Sequence, residues 1–419
     1  MIIRTARLFY IPIIISLLIS LLESTPVVVS GGPDNDYEAW IARLHDGRLM
    51  VVFDRNPDWA SGDLFVSFST DDGGTWSTPA SIIADADDQA TLSFVQMPDD
   101  TIRLWYASNE TGTYGIYTAW SLDGLAWSRQ GRINLGWSAS DMHYDPTVIL
   151  EPDSSLTMSY RGPGAAYVSH CPYRGNWDTL KTMAAASGYR PRIMKHPNGT
   201  YLIAYHRKSG SGSTNYDVFI RTSIDRVVWS DSIRLTTNLN SHDPFACPGS
   251  DGAYLVYYGK YVSPAYNLKR RKSFDAVNWQ AEETVTNDTV YNLQPHLFVE
   301  SGNIYLVWAH EINYDTDNDV YFEKTPYLGS TENASGNRRQ DSFAITPNPC
   351  SRSFTITGPG HPEDILEIGL YNCSGQRILT VNPAVPVVTV DASALSAGIY
   401  FAEVKTSFGR LVNKIIISR

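Results

Sequence analysis

Six residues occupy one recurring position in the chain and together could do chemistry: Glu38, Thr91, Asp145, Arg190, Asp243 and Gln294. Each is polar, although each opens an otherwise apolar strand pattern. Three carboxylates and a guanidinium converging on one opening are costly to bury unpaired, so they are solvated, paired or working. Two carboxyls flanking one bond are what glycoside hydrolysis needs, as acid and base or as acid and nucleophile. Asp145, Asp243 and Glu38 are the candidate catalysts, and Asp243→Asn is expected to abolish turnover with the melting temperature nearly unchanged. Arg190 falls between the two aspartates, where it would grip a substrate carboxylate or depress an aspartate pKa. The adjacent column, Tyr37, Tyr144, Tyr189 and His242, offers aromatic faces for stacking on sugars. Strand parity lets only one column point straight into the opening, and the polar one is expected there. Gln294, Tyr189 and His242 are candidate binding residues, joined by Arg161 and Arg207 just past the next strands. The plain alternative is that these charges solvate a water-filled channel.

What positions them is a repeat of about fifty residues. Ser69-Thr70-Asp71-Asp72-Gly73-Gly74-Thr75-Trp76 is followed by weaker copies at Ser121 to Trp127, Ser223 to Trp229 and Ser273 to Trp279, carrying Asp123, Asp225 and Asp275. The double gap in the middle predicts a hidden copy, and Cys171 with Trp177 keeps its spacing without the Asp. A second repeated line, a turn residue followed by a strand ending in an aromatic, runs from Gly47–Phe53 to Gly302–Trp308 and makes six units. Each reads as strand, turn, strand, loop, strand, turn, strand, with no helical periodicity. Six four-stranded units describe an all-β, six-bladed propeller. The sixth unit lacks an outer strand, and Pro26 to Val29 would supply it if signal cleavage falls before Thr25.

In the repeated turn, Asp and Ser accept backbone N–H groups, Gly supplies positive φ, and Trp is expected to pack between strands of its own blade. The first copy resembles the Asp-box of bacterial and viral sialidases and other sialidase-like propellers, at every defined position. The resemblance covers residues 36 to about 328. It implies that Asp71, Asp123, Asp225 and Asp275 are turn formers on the blade periphery, with Ser69, Gly73, Trp76, Trp127, Trp229 and Trp279, and not catalysts. The sialidase pattern also carries Arg-Ile-Pro on the first strand of the first blade, where this chain reads Tyr37-Glu38-Ala39-Trp40-Ile41; Arg190-Pro191-Arg192-Ile193 is the nearest echo. An exo-acting hydrolase for another glycan, or a non-catalytic propeller binding glycan or protein, is therefore expected in place of a true sialidase.

The ends of the chain address it. Arg4, Arg7 and the apolar run Leu8 to Leu22 read as a signal peptide within residues 1–30, cut between 24 and 31. The propeller then spans 31–328, a polar linker 329–341 and a small immunoglobulin-like β-sandwich 342–419. Pro347-Asn348-Pro349, Tyr371 to Gly375, Leu395-Ser396-Ala397-Gly398-Ile399-Tyr400 and the final Lys-bearing strand resemble the C-terminal sorting domain of the type IX secretion system. That resemblance implies the type IX machinery as a partner and delivery to the cell surface or medium.

A formal charge of −11 argues against nucleic acid or anionic lipid as partner. The one basic run, Lys269 to Lys272, reads as a solvated strand. Asp315-Thr316-Asp317-Asn318-Asp319 lacks the Gly and closing Glu of a calcium loop, and His206 and His310 have no metal-ligand spacing. No metal or cofactor is expected, and the chain is expected to be a monomer. Cys171 with Cys247, and Cys350 with Cys373, are possible pairs.

Overall fold

The computed structural model describes residues 25–327, except 58–60, 211–212, 238 and 314–316. In the tail it describes 344–346, 350–357, 365–372, 376–381, 387–406 and 409–418. The chain divides into two compact units between Gly329 and Ser330. Residues 1–24, which hold most of the segment expected to be a signal peptide, the linker and Pro347-Asn348-Pro349 lie outside the described residues.

The first unit is six four-stranded antiparallel sheets. Blade 1 runs from its inner strand Asp36–Arg43 through Leu49–Arg55 and Asp63–Ser69 to Ala80–Ile83. The inner strands of blades 2 to 6 are Gln89–Gln96, Tyr144–Leu150, Tyr189–Lys195, Ser241–Pro248 and Tyr291–Glu300. Each second strand is buried on both faces, because neighbouring blades sandwich it. This is why stretches such as Leu49 to Phe53 are continuous apolar runs with no alternation.

Blade 6 closes the ring with the other end of the chain. Val27 and Val28 pair antiparallel with Phe322 and Tyr321 as its fourth strand. The Val29 N–H donates to Val320 O at 2.8 Å, and its side chain is buried among Val307, Val320 and Phe322. The expected strand at Pro26 to Val29 is therefore present, and a mature terminus after Ser30 would remove it. One buried valine and its ladder bonds are together worth about 3 kcal/mol or more. Deleting residues 25–30 is expected to lower the melting temperature of the secreted protein by several degrees; an unchanged melting curve would mean this strand closes nothing.

The repeated turn folds as its chemistry predicts. Asp71 accepts from Thr75 N at 2.8 Å and from the Thr75 hydroxyl at 2.7 Å, while Ser69 Oγ accepts from Gly73 N at 2.8 Å. These bonds, the Thr75 hydroxyl first, hold the Asp71 carboxyl down at about 2. Asp123, Asp225 and Asp275 are likewise lowered by turn N–H groups. Where the weaker copies lack Gly, Arg226 and Ala276 take φ of 69° and 59°.

One expectation about these turns changes. The indoles of Trp127, Trp229 and Trp279 donate to carbonyls of their own turns, and the turns lean on the preceding blade. Gly124 of blade 2 abuts Met50 and Phe68 of blade 1, and Trp76 of blade 1 meets Phe322 of blade 6 at 5.2 Å. The turns clamp blades together, since the apolar face of one sheet can be covered only by the next.

Two further readings are corrected. The basic run is a strand, but it is largely paired and partly buried rather than solvated: Arg270 holds Glu283, Lys269 reaches Thr284 and Lys272 reaches Asp251. Cys171, Cys247 and Cys350 are free and buried, so Cys171 and Cys247 form no disulfide; Cys373 lies outside the described residues. Asp217 of blade 4 accepts from Arg234 and from the Thr236 hydroxyl. Asp315 and Thr316 are outside the described residues.

The second unit has a three-stranded sheet, Ala344–Thr346, Ser353–Thr357 and Val387–Asp391, and a four-stranded one. Phe354, Ile356, Leu370, Ala402 and Ile415 form its core.

Candidate active site

All six inner strands break register near their start, for example between Tyr37 and Trp40, Tyr189 and Arg192, and His242 and Phe245. At every break sits the polar column residue, and all six have left-handed φ: Glu38 52°, Thr91 38°, Asp145 56°, Arg190 47°, Asp243 50° and Gln294 54°. Such backbone costs on the order of 1–3 kcal/mol per residue, most clearly for the β-branched Thr91. A β-bulge re-aims its side chain, and of the six re-aimed residues Glu38, Asp243 and Gln294 line one cleft.

Five of the strained N–H groups are held from the preceding blade. Glu38 N donates to Gln294 Oε1 at 3.1 Å, Asp145 N to Thr91 Oγ1 at 3.2 Å, and Asp243 N to His206 Nδ1 at 3.1 Å. The Thr91 N–H reaches the Asp54 carboxyl, and the Arg190 N–H reaches that of Asp145. These bonds tie together five of the six pairs of neighbouring blades.

Glu38, Arg190 and Asp243 form one ion cluster. Arg190 Nη1 bonds Glu38 Oε1, while its Nε lies 3.0 Å from Asp243 Oδ1. Arg192 approaches Glu38 Oε2 at 3.4 Å, and Gln294 donates to Glu38 Oε1 at 2.9 Å. A quarter of the Arg190 side chain (26%) is exposed, against 5% for Glu38 and 11% for Asp243, so Arg190 is the member nearest solvent.

Asp145 stands apart from this cluster. It is 2% exposed, and burial, only partly offset by Arg192, pushes its carboxyl up to about 6. Burial also acts on Asp243, but Arg190, His206, His242 and Arg192 outweigh it and hold that carboxyl below its ordinary value. Two carboxyls of the column, Asp243 in the cleft lining and Asp145 buried outside it, are thereby pushed in opposite directions.

Residues two places along the bulged strands enter as well. Arg192, Trp40, Phe245 and His296 line the cleft with Glu38, Asp243 and Gln294. The His296 ring lies 3.8 Å from Trp40 and 4.2 Å from Phe245, making an aromatic floor. Period two from Arg190 and Gln294 was the available signal for Arg192 and His296. The cleft itself is only about 10 Å³, room for about one water.

The aromatic column turns sideways. Tyr189 stacks on His206 at 5.9 Å, His242 packs on Tyr216 at 5.0 Å and Tyr266 at 5.5 Å, and the Tyr37 hydroxyl meets Asn318. Tyr144 faces Tyr114. Arg161 is buried over the Tyr189 ring at 4.1 Å and donates to Gly188 O at 2.8 Å. Arg207 lies on Phe219 at 4.1 Å and reaches Ser232, so its contacts are in the outer half of blade 4 and not at the opening.

His206, His242 and Asp243 bring ligand atoms within 4.8 Å of one another, the described group nearest to a metal site. They fit a metal poorly. His206 Nδ1 already accepts the Asp243 N–H, and Asp243 Oδ1 faces Arg190.

Residues 344–418 match the family model described as a secretion system C-terminal sorting domain. No curated protein matches the chain. The NanB sialidase of Streptococcus pneumoniae superposes with TM-score 0.58 at 9% identity, over 72% of this chain and 70% of that one. The α-L-arabinofuranosidase of Fusarium graminearum gives 0.54 at 15%, over 72% and 97%. The α-L-arabinanase of Penicillium chrysogenum gives 0.51 at 17%, over 71% and 98%. The chain is a six-bladed propeller of the sialidase-like fold whose C-terminal sorting domain directs it through type IX secretion to the cell surface or the medium.

Proposed function

We propose that this propeller is an exo-acting glycoside hydrolase for a neutral sugar. The observation that carries the reading is the pair Asp145 and Asp243. One carboxyl is raised to about 6 and suits a general acid, and the other is held ionised and suits a nucleophile or base. Their strained backbone belongs to the same reading, since strain collects where geometry serves a reaction.

Neutrality of the substrate follows from the arginines. Arg190 is shared by Glu38 and Asp243, Arg192 turns to Glu38 and Thr147, and Arg161 is spent on Gly188 and Tyr189. None is left to grip a substrate carboxylate, so Arg190 serves Asp243 instead. Arabinose-releasing enzymes among the similar folds make an arabinofuranoside the first sugar to try.

The tight cleft favours a second reading, a propeller that binds glycan or protein without turnover. A screen of the secreted protein against nitrophenyl glycosides, arabinofuranoside and sialoside included, separates them. Release from a neutral glycoside with silence on the sialoside is expected. Release from the sialoside alone would refute the neutral site, and silence throughout from folded protein would leave binding as the function.

A further inference from the structure

The seam between blades 2 and 3 differs from its neighbours. At the seam of blades 1 and 2, the cross-strand pair Met50–Phe68 fills the space under Gly124. At the seam of blades 3 and 4, Arg226 fills it by reaching Thr157 and His170. In blade 2 the equivalent pair is Arg103–Trp120, and the turn above it is the degenerate one, Cys171 to Trp177. There the Gly175 N–H closes on Pro172 O, Arg174 takes φ 57°, and a groove of about 470 Å³ remains. That volume is ordinary for a small-molecule site, about 300–1,000 Å³.

The groove is furnished for a sugar acid. Trp177 forms one wall, held edge-on by Trp105 at 6.0 Å. Unlike Trp127, Trp229 and Trp279, its indole N–H has no partner among the described residues. Arg103 also lines the groove and, among those residues, makes no hydrogen bond or ion pair. Arg132, by contrast, is already bonded to Thr111, Ala139, Asp141 and His143. Asn134 and Asn176 add exposed amides, and the same turn carries exposed Arg174 over Tyr173. A half-buried guanidinium that Asp99 senses only through space and that no described residue bonds, beside an indole, suits a ring whose apolar face stacks and whose carboxylate takes the planar fork.

We propose that this groove is a second glycan site, one that binds acidic, uronate-bearing oligosaccharide, with Arg103 on the carboxylate and Trp177 against the ring. It is independent of any turnover at the channel mouth. The test is saturation-transfer NMR on the full secreted chain at low salt, with trigalacturonate as probe and maltotriose as the neutral match. Trigalacturonate is expected to bind wild type and Asp243→Asn alike, and to bind Arg103→Gln at least tenfold more weakly, with partial recovery in Arg103→Lys. Maltotriose is expected not to compete. No binding to wild type, equal binding to Arg103→Gln, loss in Asp243→Asn or competition by maltotriose would each overturn the proposal.

Discussion

Asp243→Asn is expected to lower kcat/KM by about a thousandfold, some 4 kcal/mol of transition-state stabilisation, on whichever glycoside the protein cleaves. The substitution keeps the shape and removes the charge that Arg190 holds at 3.0 Å. That contact changes the expectation for stability. Arg190 loses one partner and keeps Glu38, so about 2 kcal/mol of stability should go with the activity. The pH dependence checks the cause. The Asp243 carboxyl is depressed in the folded state, so its contribution is present above the ordinary carboxyl range and is lost as pH falls through the folded value. The melting gap between wild type and Asp243→Asn should therefore be full at pH 7 and narrow in acid. A gap that stays constant, or activity that survives, would remove Asp243 from the chemistry.

Asp145→Asn should behave in the opposite sense. As general acid, Asp145 matters most for poor leaving groups. Loss of about a hundredfold or more is expected on an alkyl glycoside, and much less on a dinitrophenyl one, which leaves unaided. Wild-type activity should decline as pH rises through about 6, where the acid gives up its proton. The same group costs stability. Because its folded pKa is raised, the native protein binds the proton more tightly than the unfolded chain. Stability is therefore lost as pH rises from the ordinary value of 3.8 to about 6, and stays lower above it. Two units correspond to about 3 kcal/mol. Asparagine escapes this cost, so Asp145→Asn should melt at or above wild type at pH 7.5 while Asp243→Asn melts below it. A variant that melts lower and loses all substrates equally would mark Asp145 as structural.

Much of this protein is legible along the chain because it is encoded locally. A turn of Ser69, Asp71 and Gly73 satisfies its own backbone within seven residues, so its recurrence every fifty counts the blades. The missing outer strand of the sixth unit pointed to Val27 and Val28, since a ladder left open needs a partner. The polar column was visible as one hydrophilic position repeated in apolar strands. The tertiary structure alone decided what those residues are. Six bulges give the column its left-handed backbone, and Arg192 and His296, two places further on, line the same cleft. Whether Arg190 faces a substrate or Asp243, and which aspartate is raised and which lowered, depends on burial and on side chains from blades about fifty residues away. The groove beside Trp177 likewise comes from a turn on one blade meeting Arg103 on another. Local hydrogen bonding writes the architecture into short stretches of sequence, but charge, desolvation and fit between blades exist only once the ring has closed.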